Sequence, residues 1–416
     1  MGKSMSIAAM SQVMASFKKN RMLAALIVVG VALGSAIVAS AISSLMRNVQ
    51  QLSVHTGIMD SQLLVLRTAI GASKSDIANT RSVVNVIREV PGVSSAAAIN
   101  TMPLSHFKWG LRYSTQPSRS LLDGVSTAVY FGGPSLFKSL GIHILHGSNF
   151  PASAYRPLKS ADVVQQLLGA KEAIITQALA TTLWGEANPL GKVMYAGVNP
   201  VVVRGVVANV VQPYLLAGSA RRQDYYSVFL PLRATAATGA WYVVRCNSSS
   251  RAQVLKSVES AVYSKIPNVV FNLGEDFTTF RAGYLSTNRS TALTLAIIIV
   301  ALVLVAIVGV VGLMSYWIEQ RRRQVGIRRA LGARRVDILA YFLVENFLLT
   351  SGGVFLGILI TIIARCVAMA EVSLHRLQLS PSLYAAIIFY LIGQCAVFIP
   401  ALRAARLQPV SAIRSA

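Results

Sequence analysis

The chain has 416 residues, length enough for two or three soluble domains, but 54% of them are hydrophobic and only 13% charged. That balance excludes an ordinary soluble protein. Lys and Arg number 39 against 15 Asp and Glu, a formal charge of +24, which admits nucleic acid, anionic lipid or an acidic protein face as partners until position decides, while Cys246, Cys366 and Cys395 have neither disulfide nor zinc spacing.

In residues 1–21, Met10, Val13, Met14 and Phe17 recur at helical spacing before Lys18 and Lys19. This predicts a cytoplasmic amphipathic helix lying in the membrane interface, or an extension of the first span. Residues 22–45 carry no charge and are long enough to cross a bilayer. The run is too long for a signal peptide core and no cleavage site ends it. Three more spans are expected at 290–317, 338–364 and 382–399, the third containing the single acid Glu345. Lys and Arg flank the first span at Lys18, Lys19 and Arg21, follow the second from Arg321 to Arg335, and follow the fourth at Arg403, Arg406 and Arg414. By the positive-inside rule those segments are cytoplasmic, with both termini inside. Residues 46–289 and the short loop 365–381 then lie outside, and 400–416 form a cytoplasmic tail.

The segment 46–289 holds 23 basic and 11 acidic residues. Its excess reads as a biased solvated surface or as contact with anionic headgroups, lipopolysaccharide or an acidic partner; nothing interleaves base and aromatic as a nucleic-acid site would. Two stretches share a pattern. Residues 63–70 read as a strand, followed by a helix with Ile77, Val83, Val84 and Ile87 on one face, Val90-Pro91-Gly92-Val93 and a second strand to Thr101. Residues 241–247 likewise lead into a helix with Val254, Val258, Ala261 and Val262 on one face, then Ile266-Pro267-Asn268-Val269 and a strand. Each helix is stopped by proline beside a turn-tolerant residue. The fold class expected is four transmembrane helices with an α+β outer domain of two lobes: a split β-α-β ferredoxin-like lobe (46–110 and 241–289) and a β-rich inserted lobe (111–240). Strands are expected at 173–176, 201–207 and 228–231, and a helix at 177–184.

Chemistry-bearing motifs are sparse. Gly185-Glu-Ala-Asn-Pro-Leu-Gly-Lys192-Val193 spaces its glycines one residue too widely for a phosphate loop and lacks the Ser or Thr that holds magnesium, so it is a turn. His143 and His146, three apart on an extended segment, face opposite ways; no metal and no catalytic set is assigned. Gly30/Gly34 and Gly353/Gly357 are spaced for close helix contact.

The most informative segment is the loop 318–337. Val325, Ile327, Ala330 and Leu331 give a short helix an apolar side, arginines cover the rest, and Gly332 breaks it before Asp337. Charge alone fits an anchor on anionic lipid; the apolar positions fit a helix docking into a partner's groove. For Glu345, an acid in lipid must face other helices; it makes a structural hydrogen bond or relays motion between loop and span.

Arg323-Gln-Val-Gly-Ile-Arg-Arg-Ala-Leu-Gly-Ala333, then Asp337-Ile338-Leu339 and Glu345, resembles the signature of the FtsX/MacB superfamily of ABC transporter permeases. The terminus from Pro400 to Arg414 and the stretches around Tyr130, Leu136-Phe137, Leu140-Gly141-Ile142, Ala187 to Lys192 and Val203 to Asn209 are similar to that superfamily too. The resemblance implies a dimer of four-span subunits, identical or paralogous, driven by a dimer of cytoplasmic ATPase subunits that bind ATP and Mg. It implies movement of MacB-like periplasmic domains that expels a substrate from the periplasm, with an adaptor protein and outer-membrane channel as further partners, in the bacterial inner membrane. It makes the loop a coupling helix, with Arg323, Gln324, Val325, Gly326, Ile327, Arg328, Arg329, Ala330, Leu331 and Gly332 at the ATPase. Gln324 stands where the family usually has an acid. With no phosphate loop and a short amino-terminal segment, the ATPase is expected on a separate chain, and this chain is not itself an enzyme. The alternatives are a lipoprotein-sorting permease and an FtsX-like signalling protein that regulates a cell-wall hydrolase or senses peptides; a membrane-anchored enzyme would need a site the motifs do not supply.

Overall fold

A computed structural model describes residues 21–68, 76–158, 162–215, 222–235, 241–266, 269–332, 334–371 and 380–405. The amphipathic helix expected before the first span, residues 372–379 of the loop 365–381, the Pro267-Asn268 turn and the tail beyond 405 lie outside these residues. The chain divides into a helical unit, residues 1–50 with 288–416, and an α/β unit, residues 51–287.

In chain order, helix α1 (Arg21–Leu52) is followed by β1 (Leu63–Thr68), α2 (Asp76–Glu89), β2 (Val93–Ile99), β3 (Gly110–Tyr113) and β4 (Val125–Phe131). Next come α3 (Leu136–Leu140), β5 (Ile144–Gly147), β6 (Arg156–Pro157), α4 (Val163–Leu168), β7 (Glu172–Thr176) and α5 (Gln177–Trp184). Strands β8 (Val193–Ala196), β9 (Asn199–Val207), β10 (Ser227–Leu230), β11 (Leu232–Arg233) and β12 (Trp241–Cys246) precede α6 (Arg251–Lys265) and β13 (Phe271–Asp276). The remaining helices are α7 (Phe277–Glu319), α8 (Arg322–Ala330), α9 (Arg335–Glu371) and α10 (Ser380–Ala405).

In the α/β unit, β1-α2-β2 and β12-α6-β13 meet in one antiparallel sheet of order β13-β1-β12-β2. The apolar run of β1 is continuous because both of its faces are buried. Leu64 and Leu66 pack with Val83 and Ile87 of α2 and Val258 and Val262 of α6. Leu63 and Val65 share a second cluster with Phe137 of α3 and Phe229 of β10. The intervening chain forms a seven-stranded mixed sheet of order β3-β4-β10-β7-β9-β5, with β8 also on β9. Gly57 sits where the chain presses on the residues after β9. Its φ is +76°, and a Cβ there would lie 1.8 Å from the Asn209 carbonyl oxygen, so the approach admits glycine alone.

Helix α7 starts at Phe277, well before the apolar run expected at 290, because its first turns serve the α/β unit. Phe277 is buried, and Tyr284 and Leu285 pack with Val54, Leu104, Val211 and Leu215. Arg281 Nη1 donates to Asp60 at 2.8 Å and Nη2 to the Val54 carbonyl at 2.7 Å. Phe277, Arg281, Tyr284 and Leu285, all before residue 290, are the ones that make these contacts.

Among the described residues, four helices are long and apolar enough to cross a membrane. The observed helices overrun the expected spans at both ends: α9 reaches Glu371, and α10 continues through Pro400 to Ala405 rather than ending in a tail at 399. Hydropathy marks where apolar residues stop, whereas backbone hydrogen bonding carries the helix on. Helices α1 and α9 pack through small residues: a Cβ on Gly353 would fall 2.6 Å from Val31 Cβ, and one on Gly357 2.7 Å from the Ala32 carbonyl. Gly34 abuts Phe389 of α10, while Gly30 has nothing within 4 Å. The Gly353/Gly357 pair is thus a contact site, and in the other pair Gly34 alone is one.

Gly357→Ala should therefore lower stability by about 1–3 kcal/mol through overpacking, while Gly30→Ala should be neutral or gain up to about 1 kcal/mol from helix propensity. Thermal melting of the detergent-solubilised chain compares the two.

Candidate functional site

Helix α7 ends at Glu319, and the chain turns through Gln320 and Arg321 into α8. Arg321 is the first arginine of the basic run, and it turns inward. Its Nη1 lies 2.8 and 3.1 Å from the two carboxylate oxygens of Glu345 on α9. The Arg321 side chain is 9% exposed and that of Glu345 0%. The guanidinium also stacks on the ring of Trp317, 4.2 Å from its centroid, and Nη1 is 3.5 Å from the Tyr341 hydroxyl. Glu345 is therefore the acceptor that fixes the corner between α7 and α8 to α9. The partner escaped the sequence reading because three arginines run consecutively and nothing local says which one turns in. The available signal was the rule that an acid in a membrane helix needs a named cation.

Around this corner the α8 side chains sort into two sets. Val325 and Gly326 are buried, and Val325 joins the helical unit's core with Phe342 and Ile338. Gln324, Ile327 and Ala330 are exposed, and Leu331 follows at 82% exposed. At 3.6 residues per turn, 324, 327, 330 and 331 share one face. The apolar side expected from the sequence is thus divided, with Val325 serving the bundle and Ile327, Ala330 and Leu331 facing away from it. The backbone of Arg323, Arg328 and Arg329 is helical, and their side chains lie outside the described set. Gly332 adopts φ +92° and ends the segment. The Arg334 backbone N–H donates to the Asp337 carboxylate at 3.0 Å, an N-terminal box that starts α9.

Clefts in the α/β unit and one half-buried lysine add further candidate chemistry. A cavity of about 640 Å³ is bordered by Pro151, Arg156, Lys171 and Glu172, and a second of about 310 Å³ by α2 and β2. Lys108 donates to Gln212 Oε1 at 2.9 Å, and burial, with Arg112 nearby, lowers its pKa from the usual 10.5 to about 8. Leu104 and His106 beside it have positive φ, 61° and 62°. His106 stacks on Tyr284, with ring centroids 4.2 Å apart. His143 and His146 take no part in a metal cluster among the described residues.

The MacB-like periplasmic core domain family matches residues 24–261, and the FtsX-like permease C-terminal family matches 296–409. The chain belongs to the FtsX/MacB permease family. A macrolide export ATP-binding/permease protein MacB of Shewanella sp. (strain W3-18-1) is 27% identical over 73% of this chain and 44% of its own length. That of Vibrio parahaemolyticus is 23% identical over 98% of this chain and 60% of its own. The chain spans less than two thirds of the curated relatives it matches. Among solved structures, the periplasmic region of MacB from Actinobacillus actinomycetemcomitans is 15% identical, covering 56% of this chain and 97% of that one, with a TM-score of 0.33. The extracellular domain of the ABC-type transporter YknZ from Gram-positive bacteria is 14% identical, covering 50% and 99%, with a TM-score of 0.30. In this FtsX/MacB permease, the FtsX-like match includes both α8 and Glu345, whereas Arg321, on the same match, was assigned by geometry alone.

Two outcomes follow. Glu345→Ala should destabilise the helical unit by about 3–5 kcal/mol, because it strands a buried guanidinium, and Arg321→Met combined with Glu345→Leu should recover most of that loss; thermal melting in detergent measures both. Lys108, depressed in the folded state, holds fewer protons than in the unfolded chain between about pH 8 and 10.5, so stability should rise with pH from about 8 to 10. Lys108→Met should flatten the rise. Above about pH 10 the trend reverses in both proteins as buried tyrosines such as Tyr242, pushed up to about 12 by burial, resist ionisation that the unfolded chain permits.

Proposed function

We propose that this chain is the permease of an ABC transporter of the mechanical type. An ATPase drives its cytoplasmic loop, and the α/β unit moves to expel a substrate from the periplasm. The observation that carries the reading is the outward face of α8: Gln324, Ile327, Ala330 and Leu331 stand exposed on a helix whose other side is fixed to the bundle by Val325 and by the adjoining Arg321–Glu345 pair. An apolar face on a held helix suits reception of force, since a partner's groove can cover it without burying charge.

The partner is a cytoplasmic ATPase dimer that binds ATP and Mg and hydrolyses the nucleotide; this chain acts as the non-catalytic subunit. A second permease, identical or paralogous, completes the membrane part, and a periplasmic adaptor with an outer-membrane channel extends it. The protein resides in the bacterial inner membrane with both termini in the cytoplasm. The relatives named for macrolide export suggest an antimicrobial, macrolide or peptide substrate. Gln324 lies on the outward face, so the departure from the family's usual acid falls on the surface offered to the ATPase and changes one contact there.

Co-purification with the ATPase of its genomic neighbourhood tests the proposal. Ile327→Ala with Leu331→Ala should reduce coupled ATP hydrolysis by about tenfold or more while leaving the melting temperature of the permease unchanged, since both side chains are exposed. If no ATPase associates, or the double variant couples normally, the reading fails.

A further inference from the structure

The cleft of about 310 Å³ between α2, β2 and the end of β11 has a composition that the coupling reading does not use. Three arginines border it, Arg81, Arg88 and Arg233, and no acidic residue lines it. Its remaining wall includes Val84, Ala97, Ala98, Pro134 and Ala234. The polar Thr80, Asn85 and Ser135 complete it.

The basic part of the lining is anchored at Arg88. Arg88 is held by fixed acceptors: Nε and Nη2 donate to the Ala96 carbonyl at 3.1 and 2.8 Å, and Nη2 also donates to Ser135 Oγ. Ser135 in turn donates to Ala96 at 2.9 Å. Arg81 lies seven residues earlier on α2, two helical turns along the same face, and makes no ion pair among the described residues. Arg233 enters from β11, with its guanidinium 6.0 Å from the ring centroid of Tyr155. The neighbouring acid, Glu89, is engaged elsewhere with Lys265 at 2.6 Å. Three arginines border one cavity with no acid among its lining residues, a balance that favours entry of an anion. Gly133 at the rim has nothing within 4 Å of where a Cβ would stand, which leaves that edge open.

We propose that this cleft binds a small amphiphile, with its carboxylate or phosphate head on Arg81, Arg88 and Arg233 and its apolar tail along Val84, Ala97, Pro134 and Ala234. The site lies within the α/β unit and needs no ATPase, so it stands or falls independently of the coupling role of α8.

The test uses the full chain in non-ionic detergent, with isothermal titration of hexyl phosphate, hexanoate, inorganic phosphate and hexyltrimethylammonium. Hexyl phosphate or hexanoate should bind at least about tenfold more tightly than inorganic phosphate, and hexyltrimethylammonium should not bind. Whichever head group binds more tightly identifies the anion. Arg81→Gln should weaken binding by about tenfold, consistent with loss of one charge-assisted contact, and Arg81→Lys should restore part of it. Arg81 is exposed, so its variants fold; Arg233→Gln adds a second measurement. Equal binding of the cationic amphiphile, binding of inorganic phosphate as tight as that of hexyl phosphate, or unchanged affinity in Arg81→Gln and Arg233→Gln would overturn the proposal.

Discussion

A buried charge inside a helix bundle must be answered, and in this chain the answer is Arg321. Glu345 sits fully enclosed on α9, where an isolated carboxylate is among the costliest groups a membrane helix can carry. Its counter-ion comes from the turn between α7 and α8, reinforced by the Trp317 ring beneath the guanidinium. That single contact ties three helices at one point and sets which way α8 faces. With Arg321 drawn inward, Val325 follows it into the core, and Ile327, Ala330 and Leu331 are left on the opposite side. The exposed apolar face is therefore a consequence of electrostatics at the corner as much as of the α8 pattern itself.

The helical unit complements this charged anchor with close packing. Gly353 and Gly357 bring α9 against Val31, Ala32 and Ser35 of α1, a distance that any larger side chain would prevent. Close packing of this kind replaces the hydrophobic driving force, which is weak between helices already surrounded by apolar solvent. One face of α9 is fixed by van der Waals contact, and near its start the helix is held by an ion pair. A helix so held is suited to act as the fixed reference against which a loop can be pushed.

The α/β unit follows the different logic of a water-surrounded domain. Its two sheets share a core, with β1 buried on both faces, and buried polar side chains such as Asn100 and Thr176 are hydrogen-bonded within it. Arg281 and Tyr284, on the first turns of α7, bond to Asp60, Val54 and Leu215, so the helix that continues into the apolar run begins as part of this domain. The basic excess of the segment becomes local here: three of its arginines surround one cleft, while others such as Arg204 and Arg251 approach acids.

Much was legible in the sequence because it depends on neighbours in the chain. Four apolar runs lie on four long helices, since twenty uncharged residues admit few other fates. The two strand–helix–strand stretches coincide with β1-α2-β2 and β12-α6-β13, because alternating and helical apolar spacing is a local signal, and the loop signature fell on α8 for the same reason. Long-range choices were not legible. The sequence contains three adjacent arginines, and only the tertiary structure decides that Arg321 pairs with an acid 24 positions away. It contains four apolar positions on a short helix, and only packing assigns Val325 to the core and the others to the surface. Arg81 and Arg233 are far apart in the chain and border one cleft because the fold brings α2 and β11 together. By itself the sequence determined where the chain is apolar, helical or extended, since those are properties of a few consecutive residues; which charges meet, and which faces remain uncovered, was decided by the fold, because desolvation and repulsion act between groups that only folding brings into contact.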